Sequence, residues 1–500
     1  MRKKINKFLL SMFLAGGMII PAVAQEPAST EGSETPGNYV LNIEEAIHHA
    51  IAYNKSLLNA RMEVERSDAS VWESIAQGLP QVDGTLDYMT YFNYEMEFNF
   101  GMGDGGTDFT QEQLTDAWNQ TSAQFPGNPA LGLNPPTYQD MYNYSAGSTY
   151  SGILQSMLPP STILLSDAST AKLQVSQLIF SGQYIVGIQT AKLAKRISEQ
   201  NYEFNELGIK ESVITSYYLV LITEESLRIL EQNVKNLEET LQQTETMFRT
   251  GMAEQTDVDQ IRITVNQLQN SVNSLNRNRE LNYNLFRFQL GLETNAVVQL
   301  TDDLEALFLN EEPEVALVTP FIMEDNVTYQ LMKSQTEINE KMLTMEKWNY
   351  APSIVGFYNY NAKILTTDFD MNPNHLMGLN MSVPIFSSGM RKARVDKAKI
   401  NYDMAQNNMS IMEDQLNLQE KQFRFDLESS LENYITQKEN VEVAMRVYDS
   451  FRKKFEQGMA TSLDLTQANG NYLDAESNYM TSMMEVLNAK LQLDKLMNTL

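Results

Sequence analysis

The side chains that most often carry catalysis are scarce in this chain of 500 residues. It has no cysteine and three histidines, which are His48, His49 and His375. His48 and His49 are adjacent in a helix-like stretch, where neighbouring side chains point to different faces. The signatures H-E-x-x-H, G-x-S-x-G and G-x-x-x-x-G-K-S/T, which mark zinc hydrolases, serine hydrolases and nucleotide-binding loops, do not occur. The sequence therefore predicts a protein that is not an enzyme and needs no metal, cofactor or energy source of its own.

One phrase that carries a carboxylate occurs twice. It reads FRTGMAEQTDVDQ at residues 248–260 and FEQGMATSLDLTQ at residues 455–467. Both copies lie in long polar stretches typical of helices. Gly251 and Gly458 are predicted to end a helix in the left-handed conformation, where glycine has no steric cost. Thr256 and Ser462 are then predicted to cap the returning helices.

The elements that carry these two turns are predicted to be very long helices. Windows 161–312 and 385–500 contain no proline, and residues 390–457 contain neither proline nor glycine. A helix of that last length would rise about 100 Å. Apolar residues recur at alternating three- and four-residue spacing on both sides of Gly251, with Thr244 as the one polar interruption: Leu227, Leu230, Val234, Leu237, Leu241 and Phe248, then Ile261, Val265, Leu268, Val272 and Leu275. This spacing is typical of an antiparallel coiled-coil hairpin.

The repeated phrase belongs to an internal duplication of the chain. Up to Tyr88, residues match at a separation of 272: Asn54 with Asn326, Pro80 with Pro352 and Tyr88 with Tyr360. From Phe180 onwards the separation is 206 or 207: Phe180 with Phe386 and Gly182 with Gly389. We therefore predict a first repeat at 41–295 and a second at 320–500, with linkers at 25–40 and 296–319. The change in separation indicates an insertion in the first repeat, at about residues 99–163.

Segments of alternating polarity predict strands in both repeats. Val82, Leu86, Tyr88, Phe92, Tyr94, Met96 and Phe98 alternate with polar residues, as do Met377, Leu379, Met381 and Val383, and more weakly Leu173 and Val175. Strands of a membrane barrel show this pattern, and so do strands of a half-buried soluble sheet. Four strands per chain cannot close a barrel, so a membrane barrel would need several chains: three chains would supply twelve strands and two would supply eight.

The N-terminus and the charge limit the location and the partners. In residues 1–24, four cations precede an apolar run of 13 residues and an Ala-Val-Ala sequence, which predicts a secretory signal peptide. The formal net charge of −27 argues against nucleic acid as a partner. The Gly- and Asp-rich start of the insertion lacks the ligand spacing of a known calcium loop. It is expected to be an exposed loop or a cap.

Taken in order, these segments resemble the TolC family of outer membrane efflux and secretion channels. The matching marks are NIEEAIHHAIAYNKSLLNAR, GLPQVDGTLDY, QLIFSG, VPIFSSG and the two turns. The resemblance implies a mixed α+β homotrimer. Its twelve-stranded barrel, with four strands per chain, would lie in outer membrane lipid and continue into a periplasmic α-helical barrel of coiled-coil hairpins.

The resemblance also implies a function. The trimer would be the passive exit duct of a tripartite efflux or type I secretion system, opened when a periplasmic adaptor and an inner-membrane transporter dock. The alternative is a soluble periplasmic coiled-coil scaffold. That alternative would explain the heptads and the acidity, but not the alternating strands.

Carried over by position, the resemblance places an adaptor contact at the two turns. The candidates are Phe248, Gly251, Met252, Ala253, Phe455, Gly458, Met459 and Ala460. For the two phenylalanines, packing within the turn is an equal alternative. The family's closing arginine is replaced by Ala460, so this contact of the family is missing.

The resemblance further implies a periplasmic gate formed by Asp257, Asp464 and Gln467. Asp464 matches an aspartate that lines the constricted entrance, whereas a second family aspartate is replaced by Gln467. Three Asp464 carboxylates around a narrow pore would attract cations and raise one another's pKa. The alternative is a solvated carboxylate favoured by the positive end of the helix.

Overall fold

The computed structural model describes residues 38–90, 92, 94–98, 110–124, 153–154, 161–165, 167–365 and 373–500. The predicted signal peptide, residues 1–24, and most of the insertion at 99–163 lie outside these residues. The described chain forms two compact units. We call them the helical unit (residues up to Glu65, Ile197–Ser334 and Asn407–Leu500) and the sheet unit (Arg66–Arg196 and Gln335–Gln406). In the part of the chain described, no helix has both the length and the apolar composition to cross a membrane.

The elements follow one another in the order that the duplication predicts. The first repeat has β1 (Asn38–Leu41), α1 (Ile43–Tyr53), α2 (Lys55–Ala76), β2 (Gln81–Met89), β3 (Tyr94–Phe98), α3 (Gln111–Gln124), β4 (Ser161–Leu165), β5 (Ala168–Ser181), α4 (Gly182–Arg249) and α5 (Gln255–Leu290). Between the repeats lie β6 (Val297–Leu300), α6 (Leu304–Asn310) and α7 (Pro313–Val318). The second repeat has α8 (Val327–Trp348), β7 (Ser353–Leu365), β8 (His375–Ser382), α9 (Met390–Glu456) and α10 (Ser462–Met497).

The long helices are continuous, as predicted for α4 from the absence of proline and for α9 from the absence of both proline and glycine. Helix α4 has 68 residues and α9 has 67, and the returning helices α5 and α10 have 36 each. Each hairpin therefore pairs a long helix with a shorter one, and the shorter helices of the two repeats are equal in length. This confirms the predicted hairpins and their turns.

Two buried asparagines show the duplication at the level of single hydrogen bonds. The Asn54 side-chain oxygen accepts from the backbone of Ser56 at 2.9 Å and starts α2, while its amide donates to the carbonyl of Gln289 at 2.8 Å. Asn326 does the same in the second repeat: its oxygen accepts from Tyr329 at 3.0 Å, and its amide donates to Leu496 at 2.9 Å. Each asparagine thus joins the start of one helix to the last turn of the returning helix of its own repeat.

The described parts of the two segments predicted to be linkers, residues 38–40 and 296–319, contain strands and helices. Strands β1 and β6 pair in parallel, with Asn38 opposite Val297 and Leu41 opposite Leu300. Just beyond them, Asp302 accepts hydrogen bonds from the Ile43 backbone at 2.9 Å and the Tyr217 hydroxyl at 2.7 Å. The core of the helical unit lies beside this pair and draws buried side chains from α1, α4, α5, α6, α9 and α10.

The sheet unit holds one antiparallel sheet with the strand order β2-β5-β7-β8. This matches the prediction of four strands from two hairpins. The first strand is shorter than the alternation through residue 98 indicated. Strand β2 ends at Met89, Phe92 has a φ of 50°, and β3 pairs separately with β4. The turn at Phe92 interrupts the sheet although the polarity of the sequence continues to alternate.

The two faces of this sheet differ in polarity. The register places Val82, Val175, Tyr358 and Met377 side by side on one face. On the other face, Asp83 lies beside Gln174, which lies beside Asn359. The apolar face is exposed in the single chain, notably at Leu86, Met377 and Leu379. The sheet therefore leaves a row of large apolar side chains that no described residue of the chain covers.

Candidate functional site: the two hairpin turns

The two turns that carry the repeated phrase have the same backbone structure. Gly251 donates to Phe248 at 3.0 Å and Met252 donates to Met247 at 2.8 Å; Gly458 donates to Phe455 at 2.9 Å and Met459 donates to Lys454 at 2.8 Å. These pairs of bonds close the ends of α4 and α9. The φ angles of Gly251 and Gly458 are 78° and 71°, which confirms the predicted left-handed residues.

The predicted helix caps were wrong by one and two positions. Helix α10 is capped by Thr461 rather than Ser462, and α5 is capped by Glu254 rather than Thr256. In both turns an aspartate three residues after the cap reaches back to its backbone. Asp257 accepts from Glu254 at 3.0 Å, and Asp464 accepts from Thr461 at 3.0 Å. This reciprocal bonding favours the earlier cap, because it satisfies two free N–H groups at once.

The two phenylalanines of the phrase have different surroundings. Phe455 is 6% exposed, whereas Phe248 is 41% exposed. Phe455 belongs to the tip cluster, a group of buried residues formed by Leu237, Ile261, Val265, Tyr448, Phe455 and Leu465 from both hairpins. Phe455 therefore packs inside the chain, whereas Phe248 is partly exposed in it. Met252 and Met459 are both exposed at the ends of the turns.

A hydrogen bond joins the two turns to each other. The Ser462 hydroxyl at the start of α10 donates to a carboxylate oxygen of Asp257 in α5 at 2.7 Å. The other carboxylate oxygen of Asp257 accepts from the backbone of Glu254. Further from the turns, the amide of buried Asn233 donates to buried Asn469 at 2.8 Å, again between the hairpins. Sequence reasoning missed the Ser462 contact, because the matching position in the first turn is Gln255.

Asp464 is exposed and serves its own helix. Its carboxylate accepts from the backbone of Thr461 and, at 2.7 Å, from the Thr461 hydroxyl. These bonds to the charged form lower the pKa of Asp464 within one chain. The mutual raising of the pKa predicted for a ring of three carboxylates is a property of an assembly and stays a prediction. Gln467 is exposed one turn later and donates to Asn471 at 3.1 Å.

The histidines occupy structural positions. His49 lies 3.2 Å from the carbonyl of Leu290, and His375 lies 2.8 Å from the Tyr358 hydroxyl. Over the described ranges, no group of three or more His, Asp or Glu side chains is arranged to hold a metal ion.

Comparison with known proteins gives consistent similarities. The family model described as outer membrane efflux protein matches residues 143–292 and 348–499, one segment in each repeat. The chain is 19% identical over 341 residues to the outer membrane protein TolC of Vibrio cholerae serotype O1, covering 67% of this chain and 78% of that protein.

The fold is similar to those of solved outer membrane channels. The CmeC outer membrane channel of Campylobacter jejuni matches with a TM-score of 0.64 and 14% identity, covering 92% of this chain and 86% of that one. The outer membrane protein VceC of Vibrio cholerae matches with a TM-score of 0.64 and 12% identity, covering 91% of this chain and 95% of that one. At these identities the likeness concerns the fold.

Proposed function

The chain belongs to the outer membrane efflux protein family, and from this premise we propose that three copies assemble into one passive exit duct. As a member of that family it is an outer membrane channel protein and not an enzyme, and the resemblance to TolC-type channels is confirmed. In the proposed assembly, the sheets of three chains close a twelve-stranded barrel. The helical hairpins extend the duct into the periplasm, where an adaptor and an inner-membrane transporter drive export.

The observation that carries the proposal is the two-faced sheet. Its apolar face is exposed at Leu86, Met377 and Leu379, and its other face carries polar residues such as Asp83 and Gln174. In a barrel, this arrangement puts apolar side chains against lipid and polar ones against a water-filled interior. Among the described residues no strand pairs with the outer edges of β2 and β8, and open edges cannot remain unpaired in lipid. A soluble scaffold would instead need another element to cover the apolar face.

The two hairpin turns are the proposed adaptor contact. Gly251, Ala253, Gly458 and Ala460 keep the turns small, so that a partner can approach the backbone closely. Met252 and Met459 present flexible apolar side chains on the surface. Phe248 is the aromatic candidate, whereas Phe455 supports the turn from within the tip cluster. Two similar turns from each of three chains would form a ring of six docking positions.

We further propose that the bond between Ser462 and Asp257 helps hold the gate closed. The change Ser462→Ala removes a hydrogen bond to a charged group, which is worth about 1.5–3 kcal/mol. If that bond exists only in the closed state, the open population rises about tenfold or more, since about 1.4 kcal/mol corresponds to a factor of ten. Single-channel recording in planar bilayers measures this as a higher open probability.

Thr466→Ala is the matched control for Ser462→Ala. The Thr466 hydroxyl donates only to Leu463 of its own helix, at 3.1 Å, so its loss leaves the two hairpins joined. Asp257→Asn is expected to act like Ser462→Ala. An open probability equal to that of the unmodified channel in Ser462→Ala would rule out this bond as part of the closure.

The conductance of Asp464→Asn tests the duct and its acidic entrance together. We expect a cation-selective channel in the unmodified protein and a several-fold lower cation-to-anion permeability ratio in the variant, because three carboxylates are lost from the pore. Thr461→Ala is the control, since it weakens the same helix start and keeps the charge. Equal changes in both variants would assign the effect to the helix start rather than to the charge.

The pH dependence of that selectivity reports the state of Asp464. In a single chain the bonds from Thr461 hold the pKa of Asp464 below its usual range, so the carboxylate keeps its charge to lower pH than a free aspartate. Mutual repulsion in a ring of three raises the pKa instead. Loss of selectivity at a pH above that of a free aspartate, about 3.9, would support a tight ring. Loss below that range would favour well-separated carboxylates.

A further inference from the structure

A dense group of cations lies at the start of helix α9, in a chain whose net charge is −27. Five of the first ten residues of this helix are basic: Arg391, Lys392, Arg394, Lys397 and Lys399. We call this group the basic corner. Lys392, Arg394, Lys397 and Lys399 are all exposed. The group therefore concentrates positive charge at one end of one helix of an otherwise acidic protein.

The basic corner directly follows an exposed apolar segment. Strand β8 contributes exposed Met377 and Met381, and beyond its end Ile385 is 94% exposed and Phe386 is 84% exposed. Lys392 lies six positions after Phe386 in the chain. A surface that changes from apolar to cationic over so short a distance is typical of the boundary between hydrocarbon and lipid headgroups.

Aromatic side chains at the junction of α8 and β7 extend this boundary. Trp348, the last residue of α8, and Tyr350, between α8 and β7, are both exposed. Arg391 joins the basic corner to this junction, because its guanidinium donates to the Pro384 carbonyl at 3.3 Å and lies 6.0 Å from the centre of the Tyr350 ring. Trp and Tyr are enriched at membrane interfaces, where one end of the side chain is apolar and the other is hydrated.

The fold itself does not require these cations. With Gly182 aligned to Gly389, the positions of Arg391, Lys392, Arg394 and Lys397 correspond in the first repeat to Tyr184, Ile185, Gly187 and Thr190. That helix starts equally well with no cation at any of the four positions. Cations in the first turn of a helix also oppose its dipole. Their presence in the second repeat alone needs a reason outside local structure.

Two first-repeat cations further along are neutralised, whereas exposed Lys192, the counterpart of Lys399, and the cations of the basic corner have no ion pair among the described residues. Lys195 pairs with Asp68 at 2.7 Å, and Arg196 pairs with Glu337. Within the described ranges, none of the ion pairs involves Lys392, Arg394, Lys397 or Lys399. The second repeat therefore presents net positive charge beside an apolar surface, since exposed Asp396 is the one carboxylate among the five cations.

We propose that the basic corner binds the phosphate groups of anionic phospholipids in the leaflet that meets this edge of the sheet. The inference rests on the proposed function, because it requires the sheet to lie in lipid. Each cation near an anionic lipid surface strengthens binding about fivefold. A phosphatidylcholine headgroup carries its own cation beside the phosphate and is bound less strongly. The corner therefore selects phosphatidylglycerol over phosphatidylcholine.

The experiment uses Trp348 as a reporter of the adjacent lipid. The chain has three tryptophans, so Trp72→Phe with Trp118→Phe leaves Trp348 alone. The full-length protein is reconstituted into phosphatidylcholine vesicles that contain increasing fractions of brominated phosphatidylglycerol or brominated phosphatidylcholine. Bromine quenches tryptophan fluorescence on contact. We expect a relative binding constant of about five or more in favour of phosphatidylglycerol.

Charge variants assign the preference to the basic corner. The triple change Lys392→Gln, Arg394→Gln and Lys397→Gln is expected to bring the relative constant close to one. The same change in charge at Lys438, Lys453 and Lys454, exposed on the same helix, should leave it unaltered. Lys392→Arg, Arg394→Lys and Lys397→Arg should retain the preference. A preference that persists in the triple Gln variant would overturn the inference.

Two further outcomes separate this inference from the function on which it rests. Equal quenching by both lipids would overturn the headgroup selectivity and leave the sheet in the membrane. No quenching by either lipid would contradict the proposed barrel as well. Should the triple variant fail to fold, the reporter protein with the basic corner intact is measured in about 1 M NaCl. Salt at that concentration screens the cations, because the Debye length falls to about 3 Å. A preference insensitive to salt would count against the inference.

Discussion

Replacement of Gly291 with alanine is expected to lower the free energy of unfolding of the helical unit by about 3 kcal/mol. Two effects contribute, because a left-handed residue must accept a side chain and the added methyl group overpacks the site. Gly291 ends helix α5 with a φ of 75°. A Cβ atom there would lie 2.4 Å from the carbonyl oxygen of Tyr53 and 2.9 Å from its carbonyl carbon. Both atoms belong to the backbone at the end of α1, so neither can rotate away.

The two turn glycines provide the matched control for Gly291→Ala. Gly251 and Gly458 also have positive φ, but a Cβ atom at either would have nothing within 4 Å. Gly251→Ala and Gly458→Ala are therefore expected to cost about 1–2 kcal/mol each. Denaturant unfolding followed by circular dichroism at 222 nm compares the three variants. Equal destabilisation would mean that the junction of α1 and α5 can yield, contrary to the close packing of Gly291 on Tyr53.

Removal of the paired asparagines is the second change with a large expected effect. Asn54→Ala and Asn326→Ala should each cost about 2–4 kcal/mol, the sum of a lost helix cap and a buried carbonyl left without its donor. The carbonyls concerned are those of Gln289 and Leu496. Because the two sites share no partner, the double variant is expected to show the sum of the single effects.

The variant Asn42→Ala separates the contribution of the helix cap from that of the hydrogen bond between helices. Asn42 caps α1 by accepting from the backbone of Glu45 at 2.8 Å. Within the described residues, its side chain makes no hydrogen bond to another helix. Its loss is expected to cost about 1 kcal/mol. The excess in Asn54→Ala and Asn326→Ala then measures the bond that joins two helices. If all three variants unfold at the same denaturant concentration, the joining bonds contribute nothing measurable.

The features predicted from the sequence are those set by local chemistry. The left-handed turns at Gly251 and Gly458, the continuous helix Met390–Glu456 and the alternating strand His375–Ser382 each depend on residues close together in the chain. The repeat also made Asn54 and Asn326 visible as a matched pair. Their identical bonds to two helix ends could not be read from spacing alone.

The features that were missed depend on distant neighbours. Phe248 and Phe455 stand at the same place in the repeated phrase, but the tip cluster covers only Phe455. Strands β1 and β6 have four residues each, too few for a clear alternation, and their partners are 259 positions apart. The caps shifted because Asp257 and Asp464 bond back to Glu254 and Thr461. No propensity of Thr256 or Ser462 reveals that competition.

The parallel pairing of β1 with β6 also sets an order for folding during export. The first repeat closes when Asn38–Leu41 pairs with Val297–Leu300 and Asp302 accepts its hydrogen bond from Ile43. All of these residues leave the translocation machinery before residues 303–500. The entropy lost in closing so long a loop grows only with the logarithm of its length, although such high contact order makes the step slow. The second repeat closes through Asn326 and Leu496. A chain delivered from its N-terminus can thus form the β1–β6 pair before Leu496 emerges, whereas the shared core of the helical unit forms only when α9 and α10 follow.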